Sequence, residues 1–495
     1  MSPAHAGRTA RHGPERRWPV LLVVAAVIVG AAVGLGTRGS SNPAPAPATP
    51  AALVSAPDAE SSAWYCTGQT MPSGPAPGFL VLSNATTRAV DADITTVTDT
   101  GASVDATVTV PAQSVLAPSL PVPSSGSFES DTVALDGGGV SVSQAVHGPA
   151  GWSLGPCQSS TSASWYFASG STSGSNGLYV SLLNPTSSPV VVDLGFMTPT
   201  GAVHPLNYQG VVINPGATLS EDVASEVQNA SQVSTVVTAR TGRVVASEVQ
   251  TFAGTSSGLS VMPGLSRPVD HWAIPLAQES SGGGNSEIDA FNPGTTPEKV
   301  TVHLRLASGP LAPLESTVAP GQTWALATSR QTRIPAGAGY SAEVDATGGP
   351  GVVVSRVVVA PAAATAPQAG VATAVDSLTS STPASEWIVA PPGTPASPAV
   401  SGAARDALAV LNVGGTPETF SAYAVASGHL HLLASGTLAP SASAVVTGST
   451  LSGAGFDPIV VRAGGPVAVS EDLTPSGGVG VVAMFGVPLA APLGL

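Results

Sequence analysis

Residues 165–185 read WYFASGSTSGSNGLYVSLLNP, and the stretch returns three more times in worn form. Trp64, Trp165, Trp272 and Trp387 each open a copy. Asn84, Asn184, Asn292 and Asn412 each close a short apolar run, 20, 19, 20 and 25 residues later. Glycine follows after a further 17, 17, 17 and 16 residues, at Gly101, Gly201, Gly309 and Gly428. A repeat of about 105 residues is an ordinary domain size, so the chain reads as an array of one module.

Inside each copy the pattern is that of strands. Val300, Val302, Leu304 and Leu306 alternate with Thr301, His303 and Arg305, which marks a half-buried strand. Val190, Val192, Leu194 and Phe196 show the same face in the second copy, and Val90, Ala92 and Ile94 in the first. Each run ends at a glycine turn and is followed by a second turn signal: PAQS from Pro111, PGAT from Pro215, PGQT from Pro320 and PSAS from Pro440. A late strand closes each copy: VSVSQAV from Val140, VVASEVQ from Val244, VVVSRVV from Val352 and VAVSEDL from Val467. Seven or eight short strands joined by turns must run antiparallel, and two packed sheets would bury their apolar faces. The expectation is an all-β protein of four tandem immunoglobulin-like antiparallel β-sandwiches, at residues 62–160, 161–266, 267–383 and 384–495.

The N-terminus adds a different signal. Residues 18–36 (WPVLLVVAAVIVGAAVGLG) carry no charge over 19 positions and would rise about 28 Å as a helix, close to the hydrocarbon thickness of a bilayer. Arg8, Arg11, Arg16 and Arg17 precede it, and only Arg38 follows closely. The positive-inside bias puts residues 1–17 in the cytoplasm as a short tail and sends the rest outside, behind one transmembrane signal-anchor helix. Cleavage as a signal peptide, giving a secreted protein, is the competing reading. Residues 37–61, rich in Pro, Ala and Ser, read as a linker.

The composition excludes some partners. Only 9% of the 495 residues are charged and 4% aromatic. Beyond residue 38 there remain 11 basic and 29 acidic residues, a net −18, spread along the chain. Such a field favours solubility and disfavours nucleic acid or anionic lipid as ligands of the exported part. The membrane enters as a partner only through the anchor.

Two cysteines stand in the chain. Cys66 follows the first repeat Trp, and Cys157 closes the same copy 91 residues later. In an oxidising compartment they are expected to form a disulfide that staples the first module. Each repeat Trp reads as a core plug rather than a sugar-stacking platform, and each repeat Asn as a turn cap. The chemistry-bearing motifs are weak. G-x-S-x-G occurs at residues 151–155 (GWSLG) and 254–258 (GTSSG) without the strand–helix context of a nucleophile elbow. His429 with His431, and Asp91 with Asp93, share strand faces but lack further ligands. Glu248 and Glu471 occupy one repeat position in two copies, and Gln144 and Arg356 hold it in the other two, so no common general acid stands there. No catalytic centre, cofactor or metal site is expected.

Residues 165–201, WYFASGSTSGSNGLYVSLLNPTSSPVVVDLGFMTPTG, resemble the W-Y-[FL]-A-E-G-S-T … L-L-x-N-P … V-x-[VL]-x-[FY]-x-x-x-x-G repeat of an actinobacterial family of secreted or membrane-anchored proteins of unknown function. Ser169 stands where that pattern often has Glu. The resemblance implies a cell-envelope location and supplies no catalytic residue. The expected role is therefore a non-enzymatic, membrane-anchored envelope protein acting as scaffold, spacer or adhesion surface. Its partners would be other envelope proteins or cell-wall glycan. A glycan-binding protein, with Trp152 and Trp324 as free aromatics, is the alternative, and a hydrolase is a third reading.

Overall fold

Burial alternates strictly on some strands and vanishes as a pattern on others. Val90–Thr98 alternates buried and exposed over its first six residues, and Ser103–Val110 alternates exposed and half-buried along most of its length. In Val140–Gly148, Gly151–Pro156 and Val245–Phe252 nearly every residue is buried. A strand buried on both sides has a sheet against each of its faces. A free-standing two-layer sandwich leaves one face of every strand to water, so these strands belong to something else.

The computed structural model describes residues 52–149, 151–253, 257–278, 285–360, 368–373, 375–376, 384–394, 404–426, 429–474 and 482–494. They form eight antiparallel sheets set side by side in a closed circuit, two from each repeat, here called blades 1 to 8. From rim to axis, blade 1 holds Ser114–Leu116, Gly78–Asn84, Val140–Gly148 and Gly151–Pro156, and blade 2 holds Ser103–Val110, Val90–Thr98, Phe128–Leu135 and Ser62–Thr70. Blade 3 holds Thr218–Asp222, Gly177–Leu183, Val245–Phe252 and Gly258–Pro263, and blade 4 runs from Gly201–Val203 and Val211–Ile213 through Val190–Thr198 and Ser234–Thr241 to Ser164–Phe167. Blade 5 holds Thr323–Ala327, Asn285–Phe291, Val353–Ala360 and Gln368–Thr373. Blade 6 runs from Gly309–Pro310 and Leu314–Val318 through Glu298–Leu306, Gly339–Thr347 and His271–Gln278 to Val375–Asp376. Blade 7 holds Ser443–Thr447, Ala404–Asn412, Val467–Thr474 and Val482–Phe485, and blade 8 holds His429–Leu438, Glu418–Ala426, Ile459–Ala463, Glu386–Val389 and Val487–Pro488.

Two kinds of interface alternate around the circuit. The blades of one repeat enclose its Trp and a large apolar cluster, as with Trp165, Leu182, Leu194 and Val237 in blades 3 and 4. Between repeats lie thinner seams. Tyr65, Val97, Leu183 and Val245 fill the seam of blades 2 and 3. Ala168, Phe291 and Val353 fill that of blades 4 and 5, and Leu276, Ala407 and Ala409 that of blades 6 and 7. Ile388, Val425 and Val460 of blade 8 join the cluster of the first repeat, which closes the circuit. At the axis Gly151–Pro156 touches Gly258–Pro263, which touches Gln368–Thr373, which touches Val482–Phe485, which returns to the first. This is the arrangement of an eight-bladed β-propeller.

The expected four tandem immunoglobulin-like sandwiches are overturned by that closure. The repeat is real, but each copy makes two blades, and inner strands such as Val140–Gly148 and Val245–Phe252 are covered on both faces. The misreading has a physical cause. Ser83, Ser141, Ser143, Ser181 and Ser247 are of a polar type that suits a water-facing strand surface, yet all are buried. Small hydroxyl side chains let sheets approach closely and can bond to one another across the gap, as Ser130 Oγ and Thr218 Oγ1 do at 2.7 Å between blades 2 and 3. Gly68 marks such an approach: at φ +93° it bulges out of Ser62–Thr70, and a Cβ there would sit 2.8 Å from Val249 of blade 3.

The expected tail (1–17), anchor helix (18–36) and residues 37–51 of the linker lie outside the described residues, as does Gly428. Among the described residues no helix is long and apolar enough to cross a membrane. The described end of the linker is part of the fold, since Val54 is fully buried and pairs with Leu489.

Candidate functional site

The residues shared by all four repeats are engaged in holding the blades. Trp64, Trp165, Trp272 and Trp387 are buried, and the indole N–H of Trp165, Trp272 and Trp387 donates to Val244 O (2.8 Å), Val352 O (2.9 Å) and Ala384 O (3.2 Å). The four Asn side chains do one job four times. Asn184 Nδ2 donates to Ser188 O (2.8 Å) and Ile213 O (3.0 Å), while its Oδ1 accepts from Thr186 N–H (3.0 Å). Asn84, Asn292 and Asn412 repeat this with Arg88 and Val110, Thr296 and Val318, and Thr416 and Leu438. Each clamps the end of a strand of one blade to the rim of the other. Cys66 and Cys157 form the disulfide, with Cα atoms 4.8 Å apart and both side chains buried.

The weak motifs do not assemble into a centre. Ser153 of GWSLG is buried on an axial strand, its Oγ accepting from Val261 N–H at 3.1 Å. In the second motif, residues 254–256 lie outside the described residues. His429 and His431 are exposed with ring centroids 6.4 Å apart, and among the described residues no group of three His, Cys, Asp or Glu side chains is placed to hold a metal ion. Asp91 and Asp93 accept from Thr109 (2.6 Å) and Thr107 (2.7 Å) across blade 2. Trp152 is buried against the fourth repeat and offers no sugar platform.

Buried polar groups lie between the blades instead. Gln144 Nε2 donates to Thr67 O (2.9 Å), and Glu248 Oε2 accepts from Thr235 Oγ1 (3.0 Å). Burial pushes the Glu248 carboxyl up to about 8. Arg356 donates to Leu276 O (2.8 Å) and reaches Asp472 Oδ1 at 3.5 Å, joining the third and fourth repeats. In the seam of blades 4 and 5, Ser169 Oγ donates to Asp289 Oδ2 at 2.5 Å and lies against Ser355 Oγ. Burial, then the neighbouring Glu287, holds the Asp289 carboxyl well above its ordinary range. Here the departure noted in the sequence acquires a reason. A Glu at position 169 would set a second carboxyl against Asp289.

The concave feature is in the seam of blades 6 and 7. A cleft of about 550 Å³ is lined by Leu276, Arg305, Leu306 and Tyr340 on blade 6 and by Ala407, Val445 and Thr447 on blade 7. Its size falls in the range of small-molecule sites. The Arg305 side chain makes no hydrogen bond or ion pair among the described residues. On the same face of blade 6, Asp345 pairs with His271 Nδ1 and with His303 Nε2 (3.1 Å), and Glu343 lies 3.6 Å from His271 Nε2. Burial alone would lower the His271 pKa, but its hydrogen bonds and charge interactions with Asp345 and Glu343 outweigh that and raise it to about 9. Nothing in the sequence marks this cleft, because Arg305 alternates with apolar residues as the polar face of a half-buried strand does and Ala407 belongs to no motif.

Residues 130–407, more than half of the chain, match a family of unknown function (DUF5719). The chain belongs to this family. The DUF5719 match takes in the blade 6 wall of the cleft and Ala407, and it stops before Val445 and Thr447. No curated protein matches the sequence. A solved structure described as "Crystal structure of tetra-tandem repeat in extending region of large adhesion protein" aligns at 10% identity over 87% of this chain and 100% of that chain. Its TM-score is 0.10, and it carries no argument about this fold or role.

Proposed function

We propose that this member of DUF5719 is a non-enzymatic binding platform of the cell envelope, held outside the membrane by the apolar segment at residues 18–36. One observation carries the platform reading. The side chains common to all four repeats, the Trp plugs and the Asn clamps, are buried, and all of them except Trp64 are hydrogen-bonded to backbone, so what the repeats share is structure. What differs among them lies in the seams, where a repeat protein diversifies its contacts. The Cys66–Cys157 bond supports an oxidising compartment, since such bonds are rare in reducing cytosol.

Two measurements test this. In cells making the full chain, the protein should fractionate with membranes, be cut by external protease, and carry no free thiol. Recovery from the cytosol with two free thiols overturns the location. A screen over glycan, peptide, ester and phosphoester substrates should stay silent; turnover abolished by a point variant on the protein's surface overturns the non-enzymatic part.

A further inference from the structure

The four seams can be compared position by position. In each repeat the Trp pairs with one residue, which pairs in turn with a rim-side strand: Trp64–Val133–Ile94, Trp165–Val237–Leu194, Trp272–Val344–Val302 and Trp387–Val461–Ala422. Three residues past Ile94, Leu194, Val302 and Ala422 stand Val97, Met197, Arg305 and Val425. Val97, Met197 and Val425 pack into apolar seam clusters. Only the seam of blades 6 and 7 has a guanidinium at that place.

The facing wall differs as well. Five residues before each repeat Asn stand Phe79, Tyr179, Glu287 and Ala407, and three before it stand Val81, Ser181, Asp289 and Ala409. The Tyr179 ring lies 5.3 Å from that of Phe128 across the seam of blades 2 and 3, and Phe79 packs on the cluster shared by blades 8 and 1. Alanine at 407 removes that filling. The opened space is the cleft, with Leu276, Leu306 and Ala407 on its walls and Val445, 44% exposed, among its lining residues.

We infer that this cleft binds a small molecule with a flat aromatic body and one carboxylate. The aromatic body takes the volume that Phe79 and Tyr179 occupy in their own seams. The carboxylate meets Arg305, a planar fork that pairs with a carboxylate through two hydrogen bonds. The acids nearest to Arg305 on blade 6, Glu343 and Asp345, are already engaged by His271 and His303 and do not compete for it. This goes beyond the platform reading and does not depend on the compartment, so the two can fail separately.

The test is calorimetric titration of the full chain with 2-naphthoate and with its neutral analogue 2-naphthalenemethanol. The acid should bind at one site, about tenfold more tightly than the alcohol, the worth of a charge-assisted pair. Arg305→Gln should remove that preference while leaving the alcohol unchanged. Ala407→Tyr, which builds the side chain blade 3 already carries, should abolish binding of both. Val445→Trp, at a partly exposed wall, provides a second block with less risk to the fold. Failure of the acid to saturate at millimolar concentration overturns the inference, as does equal binding to the parent, Arg305→Gln and Val445→Trp proteins.

Discussion

Val54 runs parallel to Leu489, its N–H donating to Pro488 O at 2.9 Å and its carbonyl accepting from Ala490 N–H at 2.9 Å. Thus the start of the described chain is bound into the last repeat, within the apolar cluster that holds Ile388, Leu489 and Leu493. Val54→Asp would put an unpaired carboxylate there and should cost about 3 kcal/mol or more. Because the repeats are joined by buried side chains at their seams, the loss should appear as one cooperative shift in calorimetry. Four separate transitions would argue for independent modules and against the closed ring.

Asn292 donates to Thr296 O at 2.8 Å and Val318 O at 2.9 Å and accepts from Gly294 N–H at 2.8 Å. Asn292→Asp keeps the shape, loses both donated bonds and points a carboxylate at two carbonyls. A loss of about 2–4 kcal/mol is expected in urea denaturation. An unchanged midpoint would mean that the clamp does not contribute.

The buried acids set the pH dependence. Burial raises the Glu248 carboxyl from 4.5 to about 8. Glu129 rises to about 7, by burial and then by Asp131, and Asp131 rises to about 6 by burial. A raised carboxyl keeps its proton in the fold when the unfolded chain has released it, so stability is full below about 4.5 and falls as pH climbs toward 8. His271, raised to about 9, contributes below 6.5 and loses that contribution as pH rises through 9. All four slopes share one sign, and stability should decline from pH 5 to pH 9. Glu248→Gln, which places at 248 the amide that the first repeat carries as Gln144, should gain on the order of a few kcal/mol at pH 8 and little at pH 4. A parent protein that grows more stable toward pH 8 would contradict this.

Non-reducing peptide mapping should recover Cys66 linked to Cys157. Closing a loop across 91 residues removes about 4–5 kcal/mol of chain entropy from the unfolded state. Reduction should lower the denaturation midpoint accordingly, and a midpoint indifferent to reductant would show that the first repeat needs no staple.

Much of the local structure was legible. The alternation of Val300, Val302 and Leu304 marks a real strand whose alternate residues are buried. The Trp and Asn landmarks fall at equivalent places in all four repeats because indole burial and an Asx-type turn are local demands of each copy. The cleft was not legible in the same way. Arg305 and Ala407 mean nothing until the register shows that Val97, Met197, Val425, Phe79 and Tyr179 hold the matching positions elsewhere.

By itself, then, the sequence determined the repeat, the antiparallel strands, their turns and the pairing of Cys66 with Cys157, because each follows from backbone and side-chain demands within one copy. Only the tertiary structure decided that the copies close on one another as eight blades. Ser, Thr and Ala on the second face of a strand suit water and a tightly packed seam alike, so period-two patterning is silent on which one covers them. The choice is made by contacts between repeats, such as Val54 with Leu489 and Ser169 with Asp289, which no local stretch of the chain encodes.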